Sequence, residues 1–145
     1  MLELLTPLTT VTLGLFAGAL LTEGAILVPY WRKMHPADFF RLHKEMGPRL
    51  FRFYAPLTIA AVTLAVAVAG IDLLKGDAAI GHLVAAGGGL AALSAFPLYF
   101  GKANKAFADH SIADENLAAE LRRWSSWHWA RTIVVIGAFA ASVVA

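Results

Sequence analysis

Apolar residues gather into four long runs, at about residues 8–30, 49–71, 80–100 and 121–144, separated by short polar connections. Each run is long enough to cross a hydrocarbon core of about 30 Å as a helix, which takes about 20 residues. Together they use nearly the whole chain of 145 residues and leave no room for a separate soluble domain. The pattern predicts an all-α fold, a single membrane domain over residues 1–145 built as a four-transmembrane-helix bundle. The segment ahead of the first run holds Glu3 and no Lys or Arg, and the run continues to Glu23 without a small-residue cleavage pattern. It reads as a retained span rather than a signal peptide.

The connections carry their own signals. Between the first two runs, WRKMHPADFFRLHKEMGPR restarts after His35-Pro36 and places Phe39, Phe40, Leu42 and His43 in a short interfacial helix. Gly47-Pro48 then opens the second span, with the proline in a first turn where its missing donor is harmless. A turn over Asp72 to Asp77, containing Gly76, leads to the third span. The middle of that span is small and Gly-rich (Ala85, Ala86, Gly87, Gly88, Gly89), as in helices that approach closely inside membranes, and Pro97 kinks its exit. The polar connection 101–120 leads to the fourth span, which opens on WSSWHWAR.

Composition agrees with a bilayer as solvent, at 59% hydrophobic and 15% charged residues. The net charge of +2 comes from loop lysines and arginines, with no basic stripe interleaved with exposed aromatics, so nucleic acid is not an expected partner. The chain has no cysteine, which removes disulfides and thiolate metal sites. Arg32, Lys33, Arg41, Lys44, Arg49 and Arg52 flank the first connection and Lys102, Lys105, Arg122 and Arg123 the third, whereas the second holds only Lys75. By the positive-inside rule both termini face the outer side of a bacterial cytoplasmic (inner) membrane.

Two ionisable residues interrupt the spans at matched depth. Glu23 lies seven residues before Tyr30, and Arg131 seven after Trp124, so each sits about 10 Å below the cytoplasmic surface. An unpaired charge there costs several kcal/mol, which makes a Glu23–Arg131 pair the favoured arrangement. The pair either pins two helices or belongs to a catalytic or substrate-binding site. Trp124, His128 and Arg131 fall at i, i+4 and i+7, one helix stripe expected to face the bundle interior, with Trp127 beside Arg131. His128 is either a general base in a partly apolar pocket or a neutral imidazole satisfied by Asn104 or a carbonyl. His43 is a candidate lid residue over the mouth of the bundle, and Tyr54 enters with the second span. A metal site would need Glu23, His43 and His128 to converge, and no spacing of the histidines supports it.

The stretches GALLTEGAILVPYWRKM, RLFRFYAPLT, GKANKAF and WSSWHWAR resemble the small four-helix membrane proteins of the anthrone oxygenase-like family. The resemblance spans nearly the whole chain and is carried most specifically by Trp124, Trp127, His128, Arg131 and Asn104. It implies an oxygenase or redox enzyme acting on a lipophilic aromatic or quinone-like molecule that enters from the bilayer. Catalysis would then fall to Glu23, His128 and Arg131, with Asn104, Trp124, Trp127, Tyr54 and His43 around the substrate. The implied chemistry, loss of an acidic benzylic proton followed by electron transfer to oxygen, requires no cofactor. Two other readings stand beside it: a non-catalytic subunit or scaffold of a homo-oligomer or larger membrane complex, docked through the Gly-rich span, and a heme or quinone binder using His128.

Overall fold

The computed structural model, which describes residues 2–76 and 79–145, turns the apolar runs into four helical rods, with no strand among the described residues. The first rod consists of α1 (Leu2–Thr22), a π-helical turn (Glu23–Leu27) and α2 (Val28–Trp31). The second is a single helix, α3 (Pro36–Lys75). The third comprises α4 (Ile80–Ala95), another π-helical turn (Phe96–Phe100) and α5 (Gly101–Ala108), and the fourth is α6 (Asp114–Val143). Short connections between such rods impose an up-down-up-down course. Thr10 donates to the carbonyl of Ser142 (3.2 Å), so both chain ends lie at one end of the bundle. At the opposite end Trp31 meets Trp124 edge to face, with ring centroids 5.9 Å apart. Around the bundle the rods follow the order α1, α3, α4, α6, and the diagonal pair α3 and α6 barely touch.

Three stretches, Glu3–Trp31, Pro36–Lys75 and Ile80–Ala108, are long and apolar enough to cross a membrane. Their outward faces suit lipid: Leu4, Leu8, Val11 and Leu15 form a stripe at helical spacing on α1, each at least half exposed. In water such a continuous apolar face would be a liability; in a bilayer it is the ordinary surface of the protein.

The second rod departs from expectation. A separate interfacial helix followed by a span starting at Gly47-Pro48 is not what forms, because α3 runs unbroken from Pro36 to Lys75, with Pro48 and Pro56 inside it. Packing explains why two prolines fail to break it. Phe39 meets Phe107 of α5 edge to face (5.2 Å), and Phe40 stacks on His110 (3.9 Å), so the first turns of α3 are held in line with the rest. At 1.5 Å per residue α3 is about 60 Å long, roughly twice the hydrocarbon thickness, so several turns project past the core at the Trp31 end. The helix ends at Gly76, whose φ of +74° favours a residue without a side chain. Asp77, the last residue of the expected turn, lies outside the described residues.

The core divides into two halves. Towards the chain termini it is made of small and aliphatic residues such as Leu13, Ala65, Ala85 and Ala138. Towards the other end it is aromatic, with Trp31, Phe39, Phe100 and Trp124 among its members. In the small half, a Cβ on Gly88 would lie 2.9 Å from the Cβ of Ala138, and one on Gly81 2.5 Å from the carbonyl of Ala141. The Gly-rich segment of α4 is therefore used inside the molecule, to bring α6 close. Gly87, by contrast, has open space beside it. Gly88→Val is expected to lower stability by about 2 kcal/mol through overpacking, and Gly87→Val to change it by less than about 0.5 kcal/mol. Detergent-solubilised protein titrated with a denaturing surfactant and followed by circular dichroism measures both; equal effects would argue against this packing.

Candidate functional site

The polar end of the bundle is organised around the π-helical turn of the first rod. Glu23 opens that turn and is 4% exposed. Within it the register widens, so that the N–H of Val28 bonds to the carbonyl of Glu23, five residues back. π-Helical turns of this kind often mark functional sites. Just ahead of it, two main-chain carbonyls accept side-chain hydrogen bonds from other rods. The carbonyl of Ala19 accepts from the Tyr54 hydroxyl (3.0 Å), and that of Leu20 from His128 Nε2 (2.8 Å). Gly24 permits the second contact, since a Cβ there would stand 3.1 Å from the His128 ring.

His128 is completely buried, and both of its ring nitrogens are engaged. Because Nε2 faces a carbonyl, that nitrogen carries the proton, and Nδ1 is left to accept from Arg131 Nη2 at 3.1 Å. The Glu23 carboxylate lies 3.5 Å from the same Nδ1 and 3.8 Å from Arg131 Nη2. Glu23 and Arg131 thus meet across the bundle, but at a separation longer than a hydrogen bond. The Arg131 guanidinium rests over the Phe100 ring at 4.3 Å, and its Nε is buried without a hydrogen-bond partner. A buried donor left unbonded costs free energy and is normally satisfied by something.

Asn104 is oriented by its neighbour. The indole N–H of Trp124 donates to Asn104 Oδ1 (2.9 Å), which fixes the side-chain amide so that its NH2 group, with two donors, is turned away from Trp124. Trp124 stacks on His128 (5.1 Å) and meets Phe100 edge on (5.2 Å).

These groups border a cavity of about 870 Å³ between the first rod, α3, the third rod (α4, its π-helical turn and α5) and α6. Glu23, Tyr54, Asn104 and Arg131 supply its polar wall, and Trp31, Phe39, Phe100 and Trp124 its aromatic one. Pro97 accounts for the second π-helical turn: it lacks an N–H and its ring crowds the carbonyl four residues back, so the helix widens there.

Of the residues singled out from sequence, Glu23, Arg131, Asn104, Trp124, Tyr54 and His43 line the cavity. His43 sits at its outer mouth, stacked with Phe39 (5.6 Å). His128 stands behind the polar wall rather than on it, holding Arg131 in place. Trp127 is elsewhere: it is 36% exposed and stacks on Tyr99 (5.1 Å), whose hydroxyl donates to Glu120 (2.6 Å). From sequence, Trp31 stood only within longer stretches such as the resembling one that ends in YWRKM, and Phe96 and Phe100 were not singled out; Pro97, read only as a kink, was the signal for the last two. Among the described residues, no group of three or more His, Cys, Asp or Glu side chains is placed to hold a metal ion. No protein family, curated protein or solved structure matches the chain.

A buried charge that loses its partner is costly, whereas losing both partners is less so. Arg131→Met is therefore expected to destabilise the protein by about 3 kcal/mol, and Glu23→Gln/Arg131→Met by clearly less. Surfactant unfolding of the single and double variants gives the comparison; additive losses would mean that the two groups are not coupled.

Proposed function

We propose that the protein is a membrane enzyme that binds a lipophilic aromatic or quinone-like molecule in this cavity and oxidises it, as its resemblance to the anthrone oxygenase-like family implies. The observation that carries the reading is the open Glu23–Arg131 pair, held 3.8 Å apart on the wall of a large, mostly apolar cavity. An ion pair serving only to join helices would close to hydrogen-bonding distance and satisfy its donors. The gap of 3.8 Å and the free space beside the pair suit a ligand oxygen instead.

The chemistry follows from what each group offers. Arg131 and the amide of Asn104 receive the ketone oxygen of an anthrone-like substrate and stabilise negative charge as it develops. Glu23 takes a proton from the acidic ring CH2. The resulting carbanion passes one electron to dioxygen; the radical and superoxide combine to a peroxide, which loses water and leaves a second ketone. In sum, CH2 and O2 become C=O and H2O. His128, with its proton on Nε2, acts as a positioning residue for Arg131, and Trp124, Trp31 and Phe100 embrace the rings.

The same reading includes α6 as the fourth span. It runs alongside the first rod from Ser142, level with Thr10, to Trp124, level with Trp31, so a bilayer that surrounds the other rods surrounds it as well. Its Ile133 is 65% exposed, as a lipid-facing residue would be. In this reading the basic connections are on the inner side, and the polar end lies at the cytoplasmic face of a bacterial inner membrane, with both termini outside.

Reconstituted protein supplied with anthrone should consume oxygen, and Glu23→Gln should slow this by about 100-fold or more, with unfolding still cooperative. An oxygen electrode measures the rate, and full turnover in the variant would remove Glu23 as the base. The cysteine-free sequence also permits a topology test. In intact cells a single cysteine replacing Lys75 should react with an impermeant maleimide, and one replacing Lys33 should not. The reverse pattern would invert the orientation.

A further inference from the structure

The cavity is not closed on all sides. Its α3 and α4 walls carry residues that both line the cavity and are exposed on the lipid-facing surface, which puts a slot between the two helices: Ile59 (57%) on α3, Leu90 (50%) and Leu93 (38%) on α4. Phe51 and Phe96 meet across it, with ring centroids 5.8 Å apart, near the level of the polar wall. Ile59 lies five residues beyond Tyr54 on α3, about 8 Å farther towards the middle of the membrane. Leu90 comes ten residues before Phe100 on the third rod, about 15 Å from it in the same direction. The phenylalanine pair thus spans the slot beside the polar groups, and the exposed aliphatic residues border it towards the bilayer midplane.

We infer that the ligand is a tailed lipid: an oxygen-bearing ring that sits against Arg131 and Asn104, with an isoprenoid or alkyl chain that leaves through the slot below Phe51 and Phe96. The inference rests on the reading of the cavity as a ligand site and adds the class of ligand. Three observations carry it. The charged groups of the wall, Glu23 and Arg131, stand with Asn104 towards one end, and the polar residues beside the slot are only the hydroxyls of Thr58 and Ser94, the latter bonded to its own helix, which matches a molecule with one polar head. The cavity, at about 870 Å³, is near the upper end of the volumes that hold small molecules and exceeds what a ring head fills. The slot leads to hydrocarbon, where a chain can remain without entering water.

The chain gains little by leaving lipid for a slot lined with lipid-like residues, so tightness of binding is a weak measure of its path. Obstruction of the path is the sharper one. The probes are 2-methyl-1,4-naphthoquinone and the same ring bearing a farnesyl chain, presented to protein in lipid nanodiscs at matched mole fractions in the bilayer. Quenching of tryptophan fluorescence reports occupancy, since Trp31 and Trp124 border the cavity. Both quinones should bind the unaltered protein. Ile59→Trp, which fills the slot from the lipid side, should weaken binding of the tailed quinone by about tenfold or more and leave the tail-free one unchanged. Leu93→Trp, from the opposite wall, should do the same and serves if the first variant does not fold. Leu74→Trp, on the terminal turn of α3 and 90% exposed, should change neither. If the tail-free quinone binds and the tailed one does not, or if filling the slot affects both alike or neither, the tail does not use the slot and the inference falls while the site stands. If neither quinone quenches, the cavity is not a quinone-type site and both readings fall.

Discussion

The constraint on which the polar end depends is the cost of holding Glu23 and Arg131 inside an apolar bundle. Both are largely buried, and each limits where the other rod can stand. The rest of the arrangement follows from meeting that cost. His128 gives Arg131 an acceptor, and Phe100 gives it an aromatic face. Gly24 removes the side chain that would keep α6 at a distance. The π-helical turn sets Glu23 beside both. Of the groups that meet the cost, Phe100 also lines the cavity, and part of Arg131 stays on its wall.

The two halves of the bundle solve different packing problems. Near the chain termini, glycine and alanine let α4 and α6 approach until their backbones nearly touch, and the core there is filled. Near the polar end, bulky rings and two π-helical turns hold the rods apart, and a cavity results. Close contact in one half provides the rigidity against which the other half can stay open. A bundle packed tightly throughout would have no such space, and one loose throughout would not keep Glu23 and Arg131 in register.

Much of this was legible in the sequence because depth along a helix is simple arithmetic. Counting residues from Tyr30 and Trp124 brought Glu23 and Arg131 to one level, and the structure has them facing each other. The stripe of Trp124, His128 and Arg131 likewise follows from helical periodicity. Counting could not say which member of the stripe stands in front. His128 is held behind the wall by the carbonyl of Leu20, a main-chain group that no pattern of side chains announces. Trp127 stands in an i, i+4 relation to Arg131 but at the edge of the stripe, one step and about 100° from His128, and there it turns towards Tyr99. The continuity of α3 was also hidden, since Gly47-Pro48 is a strong local break signal and the aromatic contacts that overrule it come from α5 and the connection after it.

Two of the acceptors in the polar network are main-chain oxygens, those of Ala19 and Leu20. Substitution can alter every side chain around them but cannot delete a carbonyl. The first rod therefore carries a fixed pair of docking points, set by backbone geometry, at which tyrosine, histidine or any other donor can attach. Side-chain identities at this end are free to drift while the height of the polar layer in the membrane stays the same.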